Sequence, residues 1–329
     1  MSFISDRVFL HPHRLPMPVA TYPGAHLIGT NVRTLVSNAA SQVEAQQAFH
    51  EHFQTPFVMS AMDLSVEAEA FGASVLITDD EVPTVTGRLV TNVEAVKALP
   101  VPGIGAKRTR VYVETIRLLA HLPGEPVILG GIIGPFSLAG RLFGVSEALM
   151  LTAAEPDTLT RLLEKTTSFL KGYARAFKEA GAHGIIMAEP TAGLMSPRSV
   201  SEFSSPYINQ IIRDVEDQNF SVILHNCGAR IAHLAPTLEA GARIMHFGKP
   251  MDIASALAQV PPDIILCGNL DPSEVFYGST PEQVAAKTRA LLDITKPYRN
   301  FVPSSGCDVP GNAPLENLEA FFTTVGRAG

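Results

Sequence analysis

Short apolar runs rich in Ile and Val recur along this chain from about residue 70 onward, separated by stretches whose apolar residues return every three or four positions. A brief apolar run bounded by turn residues reads as a strand buried on both faces. The three-to-four spacing reads as a helix with one buried stripe. On this pattern strands are predicted at 27–29, 74–78, 127–131, 184–188, 221–225, 243–247, 263–267 and 300–304, the first carried by Leu-Ile-Gly alone. Helices are predicted at 41–53, 61–71, 107–121, 197–217, 230–239, 281–294 and 313–325. The clearest spans 155–181, where Leu159, Leu162, Leu163, Phe169, Leu170, Tyr173, Phe177 and Ala180 share one stripe and Gly181 supplies the stop. Eight strands alternating with helices predict an α/β fold, a (β/α)8 TIM barrel. With no low-complexity stretch, charge block or long Pro/Ser linker, the chain reads as one barrel domain over 1–329 with an N-terminal extension of about residues 1–25. The rival, a doubly wound open sheet, would carry Gly-x-Gly-x-x-Gly after an early strand. The nearest match, Gly103 to Arg108, ends in Arg and follows Pro-rich sequence.

Composition narrows the function. A 46% hydrophobic, 17% charged chain of 329 residues has ample material for a core, and its net charge of −7 argues against nucleic acid, which needs a basic stripe. No apolar run approaches the ~20 residues of a membrane span. Met1 to Arg7 lacks the basic flank and apolar stretch of a secretion signal, so a cytoplasmic protein is expected. Three cysteines cannot build a disulfide framework and are free thiols or metal ligands.

The strand at 221–225 ends in His225-Asn226-Cys227-Gly228. Residues two apart in an extended segment point to one side, so His225 and Cys227 can converge on one ion while Gly228 lets the chain turn away. Cys307 directly follows the last strand, and in a barrel the C-terminal strand ends gather on one face. His225, Cys227 and Cys307 would form a soft three-ligand site that favours Zn2+ and leaves the fourth tetrahedral position open. The alternative is a core histidine beside two buried cysteines acting as small hydrophobes. Cys267, also near a strand end, reads as structural, with Asp271 capping the helix after it. Glu189 follows the strand at 184–188 and could fill the fourth metal position, take a substrate proton or cap a loop. Asp79, Asp80 and Glu81 form an acidic run that is either solvated or catalytic. His246, at another strand end, reads as a satisfied or substrate-contacting residue. Neither a Gly-x-Ser-x-Gly elbow nor a P-loop is found.

These motifs resemble the uroporphyrinogen decarboxylase superfamily. The resemblance runs through Asp63 to Ala73, Gly134-Pro135-Phe136-Ser137-Leu138-Ala139, Glu189 to Pro197, His225 to Gly228, Gly268 to Pro272, and Gly306-Cys307 followed by Pro314 to Asn317. His-x-Cys with a distant Gly-Cys points to its branch of cobamide-dependent zinc methyltransferases. That branch implies a (β/α)8 barrel, Zn2+ on His225, Cys227 and Cys307, and a methylcobamide (corrinoid) supplied on a partner corrinoid protein. It further implies a small-molecule acceptor, a thiol or a folate; the sulfur of a thiol acceptor would be held by the zinc as an attacking thiolate. The decarboxylases proper hold porphyrinogen carboxylates with an Arg-rich N-terminal segment. Here Tyr22 to Thr30 contains no arginine, although Asp79 or Asp80 roughly matches their catalytic Asp. Tetrapyrrole decarboxylation is therefore the alternative function.

Overall fold

A computed structural model describes residues 2–327 and curls seven parallel strands into one sheet. The strands in chain order are β1 (Phe57–Met59), β2 (Ser74–Leu76), β3 (Thr84–Thr86), β4 (Val127–Ile133), β5 (Gly184–Ala188), β6 (Ser221–Asn226), β7 (Ile244–Phe247), β8 (Ile265–Leu270) and β9 (Phe301–Ser305). Sheet order is β1-β4-β5-β6-β7-β8-β9, each parallel to the next, with helices between them. The expected barrel-like α/β fold is present, with corrections to its strand list. Residues 27–29 are not a strand, because the backbone there closes the short helix Gly24–Leu27 and turns at Gly29 with φ of 65°. The run from residue 74 is extended only to Leu76 and pairs antiparallel with β3 outside the main sheet. Its side chains are half-exposed or exposed, so it is not a buried barrel strand. The edge beside β4 belongs instead to the three-residue β1.

The eighth position is taken by an extended strap around Met17 to Thr21. On one side Met17 N donates to the Pro303 carbonyl (3.0 Å), Val19 N to Ser305 Oγ (2.9 Å), and Val309 N to the Val19 carbonyl (2.8 Å). On the other, Met62 N donates to Thr21 Oγ1 (3.1 Å) and Gln46 Nε2 to the Thr21 carbonyl (3.3 Å). The strap thus bridges β9 and the chain leaving β1, satisfying backbone groups that an open sheet would expose.

Alternation along the strands sorts the core into two layers. Phe57, Met59, Val127, Leu129, Ile186, Ile223, Ile244, Ile265 and Val302 fill the interior with Met17 and Val19 of the strap. Ile185, Met187, Val222 and Leu224 face outward onto helices, among them Pro156–Glu179, which buries Leu162, Phe169, Tyr173 and Phe177. Removing an aromatic such as Phe177 from this layer costs about 3–5 kcal/mol.

Helix boundaries differ where polar or Pro residues intervene. The expected helix 61–71 starts only at Val66, because Asp63 Oδ1 accepts from the Ser65 backbone N–H (3.0 Å) and holds a turn. The helix 197–217 is two, Pro197–Phe203 and Ser205–Val215, since Pro206 has no N–H to continue the first. Helices Pro135–Phe143 and Val145–Ala154, between β4 and the long helix, were not foreseen. No helix among the described residues is long and apolar enough to cross a membrane.

Candidate metal centre

Ile223 faces the barrel interior, so His225 two residues on does too, and Cys227 lies just past the end of β6. Cys307 leaves β9 two residues after Ser305. One ligand atom from each of His225, Cys227 and Cys307 lies within 4.8 Å of the others, the one such group of three found among the described residues. A tetrahedral Zn2+ with Zn–S bonds of about 2.3 Å holds its ligands roughly 3.8 Å apart, so a small contraction brings this set to bonding geometry. His225 is buried and both cysteines are partly exposed, which puts the sulfurs at the rim and the imidazole behind them.

The loops reach this packing through glycine. A Cβ on Gly248, after β7, would lie 2.2 Å from the Cys227 carbonyl oxygen. One on Gly306 would lie 2.9 Å from Lys249 N. Any side chain at Gly248 would push the Cys227 loop away from its neighbours.

The two thiols lie close enough to influence each other. The neighbouring thiol favours the Cys227 thiolate, bringing its pKa down to about 7, and together with burial pushes the Cys307 thiol up to about 12. Behind them, His225 Nδ1 and His246 Nδ1 are 2.7 Å apart, and His246 Nε2 is 2.7 Å from Ser304 Oγ. Burial holds His246 well below the usual imidazole range, so its ring is neutral. The satisfied role expected for His246 fits these bonds. Cys267, fully buried in the interior layer, has its thiol pushed far up by desolvation and lies outside the ligand group.

Glu189 is also outside that group. Its neighbour Ala188 faces the interior, so Glu189 points the other way and accepts from the backbone N–H groups of Phe136 (2.9 Å) and Ser137 (2.6 Å). These are the first amides of helix Pro135–Phe143, an ordinary carboxylate position at a helix N-terminus. Burial raises its pKa to about 7 even against those bonds. Asp79 lies at the surface in a 2.7 Å pair with Arg33, both more than half exposed. Asp79 and Asp80 border a cavity of about 490 Å3 with Tyr22, His26, Asn31 and Pro310, the last three residues beyond Cys307.

A second buried cluster has no local signature in the sequence. Arg108 donates to Asp63 Oδ2, to Glu69 Oε2 (2.7 Å) and to Ser65 Oγ (2.8 Å), and Tyr112 OH donates to Asp63 Oδ2 (3.1 Å). Nearby, Glu67 Oε1 accepts from Ile133 N (3.0 Å), and burial pushes this carboxyl up to about 8. Asp308, next to Cys307, accepts from Thr21 N (3.1 Å) and Thr21 Oγ1 (2.6 Å), and burial raises it to about 8. The signal for His246 was available, since Ile244-x-His246 repeats on β7 the Ile223-x-His225 spacing of β6 and the two histidines are register partners.

A parallel α/β barrel-like sheet with a soft ligand group at its C-terminal rim matches the family that the sequence motifs resemble, and the chain belongs to it: the uroporphyrinogen decarboxylase (URO-D) family model matches residues 6–328. It is 28% identical over 304 residues to the methylcobamide:CoM methyltransferase MtbA of Methanosarcina acetivorans, covering 91% of this chain and 85% of that one. It is 27% identical over 273 residues to the uroporphyrinogen decarboxylase of an Azoarcus species, covering 80% and 75%. In fold it is similar to a solved methyltransferase from Methanosarcina mazei, with a TM-score of 0.88, 22% identity, and coverage of 98% and 97%.

Proposed function

We propose that this chain is a zinc-dependent methyltransferase that moves a methyl group between a methylcobamide carried on a corrinoid protein and a small thiol. The observation that carries this reading is the grouping of His225, Cys227 and Cys307 at the rim, in a chain similar over most of its length to methylcobamide:CoM methyltransferases. Bound there, Zn2+ would supply Lewis acidity that keeps an acceptor sulfur as thiolate at neutral pH. Cys227 and Cys307 supply two negative charges that cancel the charge of a dication, so an added thiolate sulfur stays electron-rich. His225 completes the set from the buried side and leaves the exposed side to the acceptor. The Cys307 proton is the last to leave, so metal loading releases it and weakens as pH falls. Glu189, committed to two backbone amides, orients the helix Pro135–Phe143 beside the site. Three free cysteines fit a reducing cytoplasm.

The tetrapyrrole decarboxylase reading draws on family membership and on relatives with that name. Against it, Asp79 is held by Arg33 at the surface. Elemental analysis of native protein purified without chelators, beside Cys227→Ser and Cys307→Ser, tests the proposal. About one zinc per native chain, lost in both variants together with methyl transfer from methylcobalamin to thiols, is expected. Full methyl transfer by metal-free protein, or CO2 release from uroporphyrinogen that survives Cys227→Ser, would overturn it.

A further inference from the structure

We infer that His246 is a positioning residue for the metal centre: with Ser304 and the Met17 strap it fixes the tautomer of His225, so that Nε2 of His225 presents its lone pair to the site. This rests on reading His225, Cys227 and Cys307 as a metal centre.

Ser304 Oγ has one hydrogen, and it faces two carbonyl oxygens, those of Met17 and Ser305, which only accept. Toward His246 the same oxygen is left as acceptor, so the 2.7 Å bond runs from His246 Nε2–H to Ser304 Oγ. A neutral imidazole carries one N–H, which leaves His246 Nδ1 with a lone pair. His225 Nδ1, 2.7 Å away, must then carry the hydrogen that they share. Its Nε2 is the remaining nitrogen, the one left free to meet an ion shared with Cys227 and Cys307. If Ser304 donated instead, the order would reverse and His225 would hold its hydrogen on Nε2, where it would block a metal. The polarity of the whole row is set by the backbone carbonyl of the strap.

The arrangement is also rigid. His225 and His246 are register partners on β6 and β7, both are buried, and their rings meet edge to face at 4.7 Å between centroids. Metal-bound histidines depend on the acceptor behind them, whose loss typically weakens metal binding 10–100-fold. Here the acceptor is a second imidazole rather than a carboxylate, so it orients His225 without adding charge.

The test measures Zn2+ affinity by chelator competition on the full chain, native and variant, with the imidazole nitrogens of the native zinc-loaded protein assigned by long-range 1H–15N NMR. His246→Leu is expected to lose about 10–100-fold in zinc affinity. His246→Asn, whose amide oxygen can accept from His225 Nδ1–H, should recover most of it. Ser304→Ala should weaken binding less, and in the same direction. The spectrum should show hydrogen on His225 Nδ1 and zinc on Nε2, a readout that a packing role alone would not set. Should His246→Leu fail to fold, Ser304→Ala and the native spectrum still decide. Native zinc affinity in a folded His246→Leu, or hydrogen on His225 Nε2, would overturn the inference while leaving the metal centre intact. Native protein that binds no zinc would overturn the metal centre itself and this role with it.

Discussion

Two buried polar clusters lie at the C-terminal ends of the strands, one after β1 around Asp63 and one after β6 and β9 around Cys227 and Cys307. In the first, every acceptor position of Asp63 is occupied: Oδ1 by the Ser65 N–H and hydroxyl, Oδ2 by Arg108 and Tyr112. In the second, Cys227 and Cys307 are partly exposed, and their sulfurs lie with His225 close enough to hold one ion. Each cluster contains buried polar side chains, Asp63 and Arg108 in one and His225 and His246 in the other, so burial of polar groups does not separate them. Saturation does. A cluster whose members satisfy one another acts as a strut, and one whose ligand atoms stay uncommitted is a candidate binding site.

The largest expected effect falls on the second cluster. Cys227→Ser or Cys307→Ser should lower Zn2+ affinity on the order of a thousandfold, with metal-free stability changed by less than about 1 kcal/mol. Chelator competition and urea unfolding measure the two, and a Cys variant that unfolds instead would erase the contrast. Asp63→Ala should do the reverse. It leaves buried Arg108 with Glu69 as its one carboxylate partner and takes the acceptor from Tyr112 OH, and should destabilise the chain by about 3 kcal/mol in urea, while the folded fraction keeps native zinc stoichiometry.

A third expectation concerns pH. Glu67 and Glu189 have pKa values raised to about 8 and about 7 in the folded chain, so between about pH 4.5 and those values the folded state binds more protons than the unfolded one. Metal-free stability should therefore fall as pH rises from 4.5 to 8, with Glu189 contributing on the order of 3 kcal/mol. Glu189→Gln should flatten the portion up to pH 7, and an unchanged slope in that variant would remove Glu189 as its source. The smallest effect belongs to Asp79→Asn. Its exposed pair with Arg33 is worth at most about 1 kcal/mol, so stability and zinc content should barely move. A large loss of methyl transfer in that variant would give Asp79 a role that its surface position does not suggest.

Six of the seven strands of the main sheet were legible in the sequence because they are apolar runs between turns, from β4 to β9. The count of eight was reached through the wrong members. Leu27 to Gly29 and Ser74 to Thr78 have strand-like composition, and composition does not tell a barrel strand from a turn or a surface hairpin. β1 is too short, and the strap too irregular and Pro-rich, to show a period. For the site, His-x-Cys at a strand end carried its own geometry, since a period of two needs no tertiary knowledge. The direction of Glu189 did not, because a residue just past a strand can turn to either layer. The Asp63 to Arg108 pairing spans 45 residues and has no local signature.

The strap has a consequence for synthesis as well as for architecture. Met17 is bonded to Pro303 and Ser304, some 287 residues later, so the barrel has no complete wall until β9 has left the ribosome. Contacts of such separation close late and slowly. Cys227 emerges long before Cys307 and waits as an unpaired thiol while the wall is open. On the proposed zinc reading, all three ligands exist together only in a finished chain, so an ion held by His225, Cys227 and Cys307 would lock a fold already closed rather than nucleate it.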